Sequence, residues 1–272
     1  MNGSGERSDQ ELEALVRTVQ RSAKYRTVAP ELVRHIGARE LAHRHSLREA
    51  IKATKNKLHQ VAAAYMTARP RYEEWLARLR EAASDQAALR AAARQIMAAH
   101  ASTRERLPIL DEFYRETLQE IGPIRSVIDV ACGLNPLAIP WMPLASVARY
   151  AAFDMYTDLA WFLGQAIPLL GAQGTAYAVD VLQHDFAEPA DLALLMKAIP
   201  CLEQIDEEGT EQLLDRLPAR HLLITFPVHS LGGHPRGMIQ HYSQRFEHIA
   251  AQRGWDLRRW TFATELAYLV TR

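Results

Sequence analysis

The sequence predicts an α/β protein in which a doubly wound sheet of seven strands follows an all-helical N-terminal extension. Up to residue 125, apolar residues recur at helical spacing, whereas short apolar runs separated by helical or loop segments follow from residue 126. Such runs are typical of buried parallel strands. Residues 255–272 alternate and leave no room for a crossover helix, which indicates an antiparallel pair. We therefore expect five parallel strands closed by an antiparallel hairpin.

Capping and proline signals divide the helical extension. The capping-box pattern S-x-x-E predicts helix starts at Ser8, Ser46 and Ser102. Pro30 and Pro70 predict two further starts. An alanine-rich helix is expected over about 85–99. Because Pro108 lies inside the last helical pattern, that helix should kink or restart there.

The strands follow in the second half of the chain. The parallel strands are expected at 126–131, 149–155, 174–182, 191–199 and 221–227. A length of 272 residues fits one large domain or two smaller ones. We place a helical domain at residues 1–100 and a sheet domain at residues 101–272.

Composition narrows the class of protein. No apolar run approaches the ~18 residues of a membrane span, and the polar N-terminus shows no secretory signal. Cys132 and Cys201 are too few for a disulfide framework, which favours a reducing, cytoplasmic compartment. The histidines and cysteines lack the paired spacing of a metal site, so no metal is expected. Nothing in the sequence demands more than a monomer.

The net charge of zero hides a basic segment near the N-terminus. Residues 17–57 hold 11 Lys and Arg against 3 Asp and Glu. A basic face of this kind suits nucleic acid, because each phosphate contact releases counterions. A solvated helical surface is the alternative that the charge count alone leaves open.

Acidic residues follow the second and third strands, and a turn with a single glycine follows the first. Asp154 is placed to accept hydrogen bonds from ribose hydroxyls, and Asp180 from an adenine amino group, with Val181 and Leu182 flanking the ring. Gly133 lets the backbone approach a ligand closely. The turn lacks the G-x-G-x-x-G and P-loop patterns, so S-adenosylmethionine, which carries no phosphate, fits better than a nucleotide. An ordinary turn with solvated aspartates is the alternative.

Five sequence blocks resemble a known family. They are HASTRERL (100–107), VIDVACGLNPLAIPWM (127–142), DLALLMKAIPCLE (191–203), FPVHSLGG (226–233) and TELAYLV (264–270). In this order, and with a basic helical extension before them, they resemble the aminoglycoside-resistance 16S rRNA (guanine(1405)-N7)-methyltransferases. The chain most resembles the resistance enzymes of aminoglycoside-producing actinomycetes. The resemblance implies a Rossmann-like S-adenosylmethionine-dependent methyltransferase sheet.

The resemblance also implies roles for individual residues. The expected cofactor contacts are Arg106, Ala131, Cys132, Gly133, Asp154, Met155, Asp180, Val181, Leu182 and Lys197. Among these, Arg106 would pair with the cofactor carboxylate, with Arg104 as a weaker candidate, since bidentate Arg–carboxylate pairs suit that task. The basic helices would dock on 16S rRNA in the small ribosomal subunit.

The chemistry needs little beyond positioning. Guanine N7 carries a free lone pair, so no catalytic base is expected, and Lys197 and Arg236 are the positioning candidates. The target base must leave its stack and be received by aromatic or apolar side chains. The candidates for this are Trp141, Phe226 and Tyr242.

Two other functions stay open at this point. The same fold could methylate the neighbouring A-site adenine or a small molecule. Alternatively, the chain could be a non-catalytic RNA-binding protein with a vestigial cofactor site.

Overall fold

A computed structural model describes residues 3–62, 70–228 and 238–272 of the chain. Its seven strands are β1 Ile124–Val130, β2 Leu144–Asp154, β3 Gln173–Ala178, β4 Ala190–Met196, β5 Ala219–Pro227, β6 Asp256–Thr261 and β7 Glu265–Thr271. They form one sheet in the order β3-β2-β1-β4-β5-β7-β6. β1 to β5 pair in parallel, and β7 pairs antiparallel with both β5 and β6. The predicted fold class is therefore confirmed, including the terminal antiparallel hairpin.

Strand limits differ from the prediction in ways that bear on the site. β2 begins at Leu144 because this residue pairs with Ile124 across an irregularity in the β1–β2 register. β3 ends at Ala178 and β4 at Met196. Asp180 and Lys197 therefore lie in the connections beyond the carboxyl ends of their strands, where ligands bind in open parallel sheets.

Eleven α-helices lie in the described residues. They are α1 Gly3–Gln20, α2 Pro30–His43, α3 Leu47–Ala62, α4 Tyr72–Ala82, α5 Gln86–Met97, α6 Ala101–Arg106, α7 Leu110–Leu118, α8 Thr157–Leu169, α9 Ile199–Ile205, α10 Glu207–Arg216 and α11 Met238–Gln252. Two 3₁₀ helices, Leu107–Ile109 and Asn135–Trp141, complete the set. None of the helices in the described ranges is long and apolar enough to cross a membrane.

Several predicted helix starts are confirmed. Pro30 is the first residue of α2, where its missing N–H has no helical partner to lose. The amide of Glu49 donates to Ser46 Oγ (3.3 Å), which caps α3. The alanine-rich helix is α5, and the Asp85 side chain caps it by accepting from two amides of its first turn.

Two predicted capping boxes are wrong. Ser8 lies inside α1, which begins at Gly3, and Ser102 lies inside α6, whose cap position is His100. At Pro108 the helix restarts, because a 3₁₀ turn containing the proline separates α6 from α7.

The helical extension packs on both faces of the sheet. On one face, α4 and α5 share a hydrophobic core with α7 and α8. On the opposite face, α1, α2 and α3 share a second core with α9 and α10. Side chains of β1 and β4 alternate between the two cores, as the period of a strand requires. The helices of the extension therefore form part of the two hydrophobic cores that cover the sheet.

Candidate functional site

A cavity of about 700 Å³ opens at the carboxyl ends of β1 to β4. The strand connections contribute Ala131, Cys132, Gly133, Asp154, Met155, Tyr156, Val179, Asp180, Val181, Lys197 and Ala198 to its lining. The helical extension contributes Ala23, Lys24, Tyr25, Arg26, Thr27, Leu32, Val61, Pro70, Tyr72 and His100. Ligand pockets in proteins have volumes of ~300–1,000 Å³, so this cavity can hold a small molecule.

The turn after β1 is held in a strained shape. Ala131 and Gly133 have φ angles of 50° and 52°, in the left-handed region that a residue with a Cβ rarely adopts. A Cβ added to Gly133 would lie 2.9 Å from Cε1 of His100, so only glycine fits there. The amide of Cys132 donates to the carbonyl of Phe153 (3.0 Å), and burial raises the pKa of its thiol. Cys132 is therefore a lining residue and not an activated nucleophile.

The carboxylate of Asp154 at the end of β2 is fixed by backbone amides. Gly133 donates to Oδ2 (2.9 Å), and Met155 and Tyr156 donate to Oδ1 (2.7 and 3.3 Å). Burial raises the pKa of Asp154, and these three bonds oppose the shift. A carboxylate has about four acceptor positions, so Asp154 keeps capacity for a hydroxyl donor in the cavity.

Asp180 is fixed differently. The amide of Leu182 donates to its Oδ1 (3.0 Å), and its Oδ2 lies 2.6 Å from Nδ1 of His35 on α2. Asp180 and Val181 line the cavity, whereas Leu182 contributes only its amide and buries its side chain in the core. No signal in the sequence pointed to His35, since 145 residues separate it from its partner.

Lys197 also adopts a left-handed backbone, with φ of 60°. Its amide donates to the carbonyl and the hydroxyl of Thr225 (3.1 and 3.0 Å). Its ammonium lies 2.7 Å from Oε2 of Glu105 and 3.4 Å from Oε1 of Glu265, with only 5% of the side chain exposed. Such conformations persist where the surroundings enforce them, which is common at functional sites.

Arg106 does not line the cavity. Its side chain is fully buried, with Nε 2.8 Å from Glu265 Oε1, and Nη2 donates to Oε2 (3.1 Å). Nη1 donates to Asn135 Oδ1 (2.7 Å). Glu265 occupies the guanidinium in this structure, and the expected pairing of Arg106 with the cofactor carboxylate stays a prediction. Arg104, the weaker candidate, is exposed and is not part of the lining either.

A buried polar network continues from Arg106 beneath the turn. Asn135 Nδ2 donates to Asp129 Oδ2 (2.9 Å), and the hydroxyl of Tyr150 donates to the same oxygen (2.6 Å). The hydroxyl of Tyr114 donates to Asn135 Oδ1 (2.6 Å). Burial raises the pKa of Asp129 to about 7. The network joins β1, β2, α6 and α7 directly behind the cavity.

His100 forms the floor of the cavity under Gly133. Burial, followed by the positive charges of Arg106, Lys197 and Arg104, lowers the pKa of His100 to about 4. The imidazole is therefore neutral at physiological pH. His100 belongs to one of the sequence blocks quoted above, but its spacing carried no sign of this role.

Backbone bonds attach the helical side of the cavity to β2. Ala29 donates to the carbonyl of Met155 (2.7 Å), and Thr157 donates to the carbonyl of Thr27 (2.8 Å). On the other wall, the ring of Tyr72 from α4 stacks on Phe162 with centroids 5.1 Å apart. The helical extension thus supplies walls of the cavity, not only an outer surface.

Most of the predicted contacts come together, and a few do not. The cavity is lined by Ala131, Cys132, Gly133, Asp154, Met155, Asp180, Val181 and Lys197, but not by Arg106 or Leu182. Arg236 lies outside the described residues. None of the three aromatic candidates is part of the lining: Trp141 lies beside Arg90 and Arg94, and Phe226 stacks on Tyr242 in the second core.

Basic side chains remain exposed on the outer surface of the extension. Arg17, Arg21, Arg48 and Lys52 are exposed, and no ion pair is formed at them within the part of the chain that the structure describes. Unpaired cations on a helical surface suit a polyanion. Within the described ranges, no three His, Cys, Asp or Glu side chains group as ligands for a metal ion.

Comparison with known proteins agrees with this geometry. The family described as "Ribosomal RNA methyltransferase (FmrO)" matches residues 21–269. Relatives named 16S rRNA (guanine(1405)-N(7))-methyltransferase occur in Micromonospora rosea and Frankia casuarinae. The first is 38% identical over 267 residues, covering 96% of this chain and 97% of its own. The second is 39% identical over 269 residues, covering 97% and 95%.

Solved structures give the same result. The 16S rRNA methyltransferase RmtF, in complex with S-adenosyl-L-homocysteine, superposes with a TM-score of 0.78 at 36% identity, covering 98% of both chains. An rRNA methylase from Escherichia coli superposes with a TM-score of 0.73 at 28% identity, covering 96% of this chain and 99% of its own.

Proposed function

The chain belongs to the ribosomal RNA methyltransferase (FmrO) family, and we propose that it methylates N7 of guanine 1405 in 16S rRNA, with S-adenosylmethionine as the methyl donor. Methylation of this guanine would confer aminoglycoside resistance. The single observation that carries the proposal is the cavity at the carboxyl ends of β1 to β4, where the left-handed turn at Gly133 meets the side chains of Asp154 and Asp180.

The residues present fit an adenosyl ligand. Asp154 is an oriented carboxylate that can accept from ribose hydroxyls, and Asp180 can accept from an amino group beside the apolar Val181. At Gly133 the backbone can approach a ligand closely. S-adenosylmethionine carries no phosphate, so it needs no glycine-rich phosphate loop. Arg106 is paired with Glu265, and Lys24, Arg26 and Lys197 are the lining cations that a ligand carboxylate can approach.

The residues of the chain contribute mainly position and a dry environment. When bound, S-adenosylmethionine supplies an electrophilic methyl group on a sulfonium. Guanine N7 attacks with a free lone pair, so no residue has to remove a proton first. His100 stays neutral, and the charges of Lys197 and Arg106 are buried in ion pairs with Glu105 and Glu265. Arg236 keeps its proposed role as a reader of the guanine acceptors.

We further propose that the exposed cations of α1 to α3 dock on the small ribosomal subunit in the cytoplasm. Their freedom from ion pairs in the described part of the chain supports this, since each is available to a phosphate. The proposed division into residues 1–100 and 101–272 then separates a docking part from a catalytic part. The docking part also completes the cofactor cavity. A monomer remains our proposal for the oligomeric state.

The decisive test maps the modified base. Purified protein is incubated with labelled S-adenosylmethionine and small ribosomal subunits, and the methylated nucleotide is located by primer extension and mass spectrometry. We expect 7-methylguanine at position 1405 and reduced transfer by Asp154→Ala at a subsaturating cofactor concentration. Modification of the neighbouring adenine, or of no base in the subunit, would overturn the proposal.

A further inference from the structure

One buried side chain of the helical extension contacts a carboxylate that lines the cofactor cavity. His35 lies in the middle of α2, and its Nδ1 is 2.6 Å from Oδ2 of Asp180. The two side chains are 8% and 2% exposed, so the contact is almost dry. Such a contact is stronger than an exposed one and more harmful to break.

The contact fixes the orientation of the Asp180 carboxylate. One oxygen accepts from the amide of Leu182, which lies two residues away in the same loop. The other oxygen faces His35, which is the side-chain partner that the structure gives it. Without the imidazole, a buried carboxylate would keep a single local bond and could rotate or draw in water. Since a carboxylate accepts hydrogen bonds, His35 serves as the donor in this pair through Nδ1.

The position of α2 is fixed by contacts before its first residue and along its length. At its N-terminal end, the amide of Ala29 donates to the carbonyl of Met155 beside Asp154 (2.7 Å). Further along, Nε2 of His35 lies 3.8 Å from Oδ2 of Asp206, whose side chain caps α10 and accepts from Arg39 (2.6 Å). The histidine is therefore held against two carboxylates of the sheet side.

We propose that His35 is a positioning residue for the cofactor, which holds the Asp180 carboxylate in the orientation that recognises adenosine. The inference rests on the proposed function, because it assumes that the cavity binds S-adenosylmethionine. It assigns part of adenosine recognition to a helix of the RNA-docking extension. Cofactor affinity then depends on α2, although α2 is remote from the strand connections in sequence.

Two substitutions by amide side chains separate positioning from packing. In His35→Asn, the amide nitrogen takes the place of Nδ1 and can still donate to Asp180. In His35→Gln, the donor moves to the place of Nε2, toward Asp206, and the bond to Asp180 is lost. Both variants are polar and similar in size, so a difference between them reports the hydrogen bond. His43→Leu, on the exposed end of the same helix, is the matched control.

The measurement is the dissociation constant of S-adenosylhomocysteine for the full chain, by calorimetry, together with KM and kcat for methyl transfer to small subunits. We expect His35→Gln to weaken binding about 10- to 100-fold, the range for one lost hydrogen bond to a charged group. His35→Asn and His43→Leu should stay within about threefold of wild type. The value of kcat at saturating cofactor should be retained in all three, because only Asp180 is disturbed.

A double substitution shows whether His35 acts through Asp180. In the Asp180→Asn background, His35→Gln should weaken binding no further, since its partner is already altered. Equal affinities for His35→Gln and His35→Asn would overturn the inference, and so would full additivity with Asp180→Asn. If the wild-type chain bound no S-adenosylhomocysteine, the proposed function itself would fail instead.

Discussion

The two carboxylates of the cavity are held by different parts of the molecule. Asp154 accepts from three backbone amides, all supplied by the connections after β1 and β2. Asp180 accepts from one amide of its own loop and is paired with His35 from the helical extension. Backbone amides are present whatever the side chains, so the support of Asp154 is intrinsic to the sheet. The contact of Asp180 with His35 exists only while α2 is docked.

The ends of the strands therefore supply only part of this site. On the sheet side, Asp154 is held by backbone amides of two neighbouring strand connections. The helical side is fixed by one buried imidazole and by the backbone bonds of Thr27 and Ala29 to the end of β2. Each set of contacts can be removed by its own substitution. The largest expected effect is on the free energy of unfolding, and the smallest is on the salt dependence of RNA binding.

The largest effect is expected from the buried polar network around Arg106. Arg106→Ala leaves Glu265 buried without its main partner, which typically destabilises a protein by about 3–5 kcal/mol. Arg258→Ala is the control, since its pair with Glu120 is exposed and should contribute about 0–1 kcal/mol. Urea denaturation measures both. A loss below about 1 kcal/mol for Arg106→Ala would show that the network does not support the fold.

The buried imidazole under Gly133 should make stability depend on pH. The folded protein holds the pKa of His100 at about 4, below the ordinary value of 6.5. Between those values the unfolded chain binds the proton more readily, so stability falls as pH falls from 6.5 to 4, by up to roughly 3 kcal/mol.

The variant His100→Asn isolates this effect. Other titrating groups, such as Asp129, are common to both proteins and cancel in the difference. Denaturant melts at several pH values should show the wild type losing stability relative to His100→Asn over that window. Parallel curves would mean that His100 can be protonated in the folded state.

Removing either carboxylate should weaken the cofactor without unfolding the chain. We expect Asp154→Ala and Asp180→Ala each to raise the dissociation constant of S-adenosylhomocysteine about 10- to 100-fold. Both variants should remain folded at the temperature of the binding assay. If both retained full affinity, the cofactor would not lie where we place it.

A methyl group at Gly133 should disturb the turn after β1 and the His100 ring packed against it. The φ of 52° predicts backbone strain, and the 2.9 Å separation between an added Cβ and the His100 ring predicts a clash. Gly254→Ala is the matched control, because Gly254 has φ of 67° and open space around it. Gly133→Ala should lose about 1–3 kcal/mol more than the control and should weaken cofactor binding. Equal losses would mean that the turn relaxes freely.

Patterns among neighbouring residues predicted the sheet side of the site, but they did not predict its contacts between residues distant in sequence. The strand runs, the glycine turn after β1 and the acidic residues after β2 and β3 could be predicted, because periodicity and strand ends are read from neighbouring residues. The partner of Arg106 could not, since Glu265 is 159 residues away and its burial depends on how α6 meets β7. His35 was hidden for the same reason. The pattern of a helix shows which residues share a face, but not what that face meets.

The smallest effect is expected from exposed cations of the extension that do not line the cavity. Changing Arg21 or Lys52 to Glu should weaken binding to small subunits and lower the log–log salt slope by ~0.7–0.9 for each lost phosphate contact. Cofactor affinity should not change. Arg149→Glu on β2 serves as the control. An unchanged slope for Arg21 and Lys52 would assign these residues to solvated surface.

A crystal structure of the full chain with S-adenosylhomocysteine tests the central claim most directly. We predict the ribose against Asp154, the adenine beside Asp180 and Val181, and the loop at residues 24–27 closing the same cavity. His35 should keep its contact with Asp180 in the complex. A ligand bound elsewhere, or one that touches only the sheet side while α2 lies away from Asp180, would contradict the account.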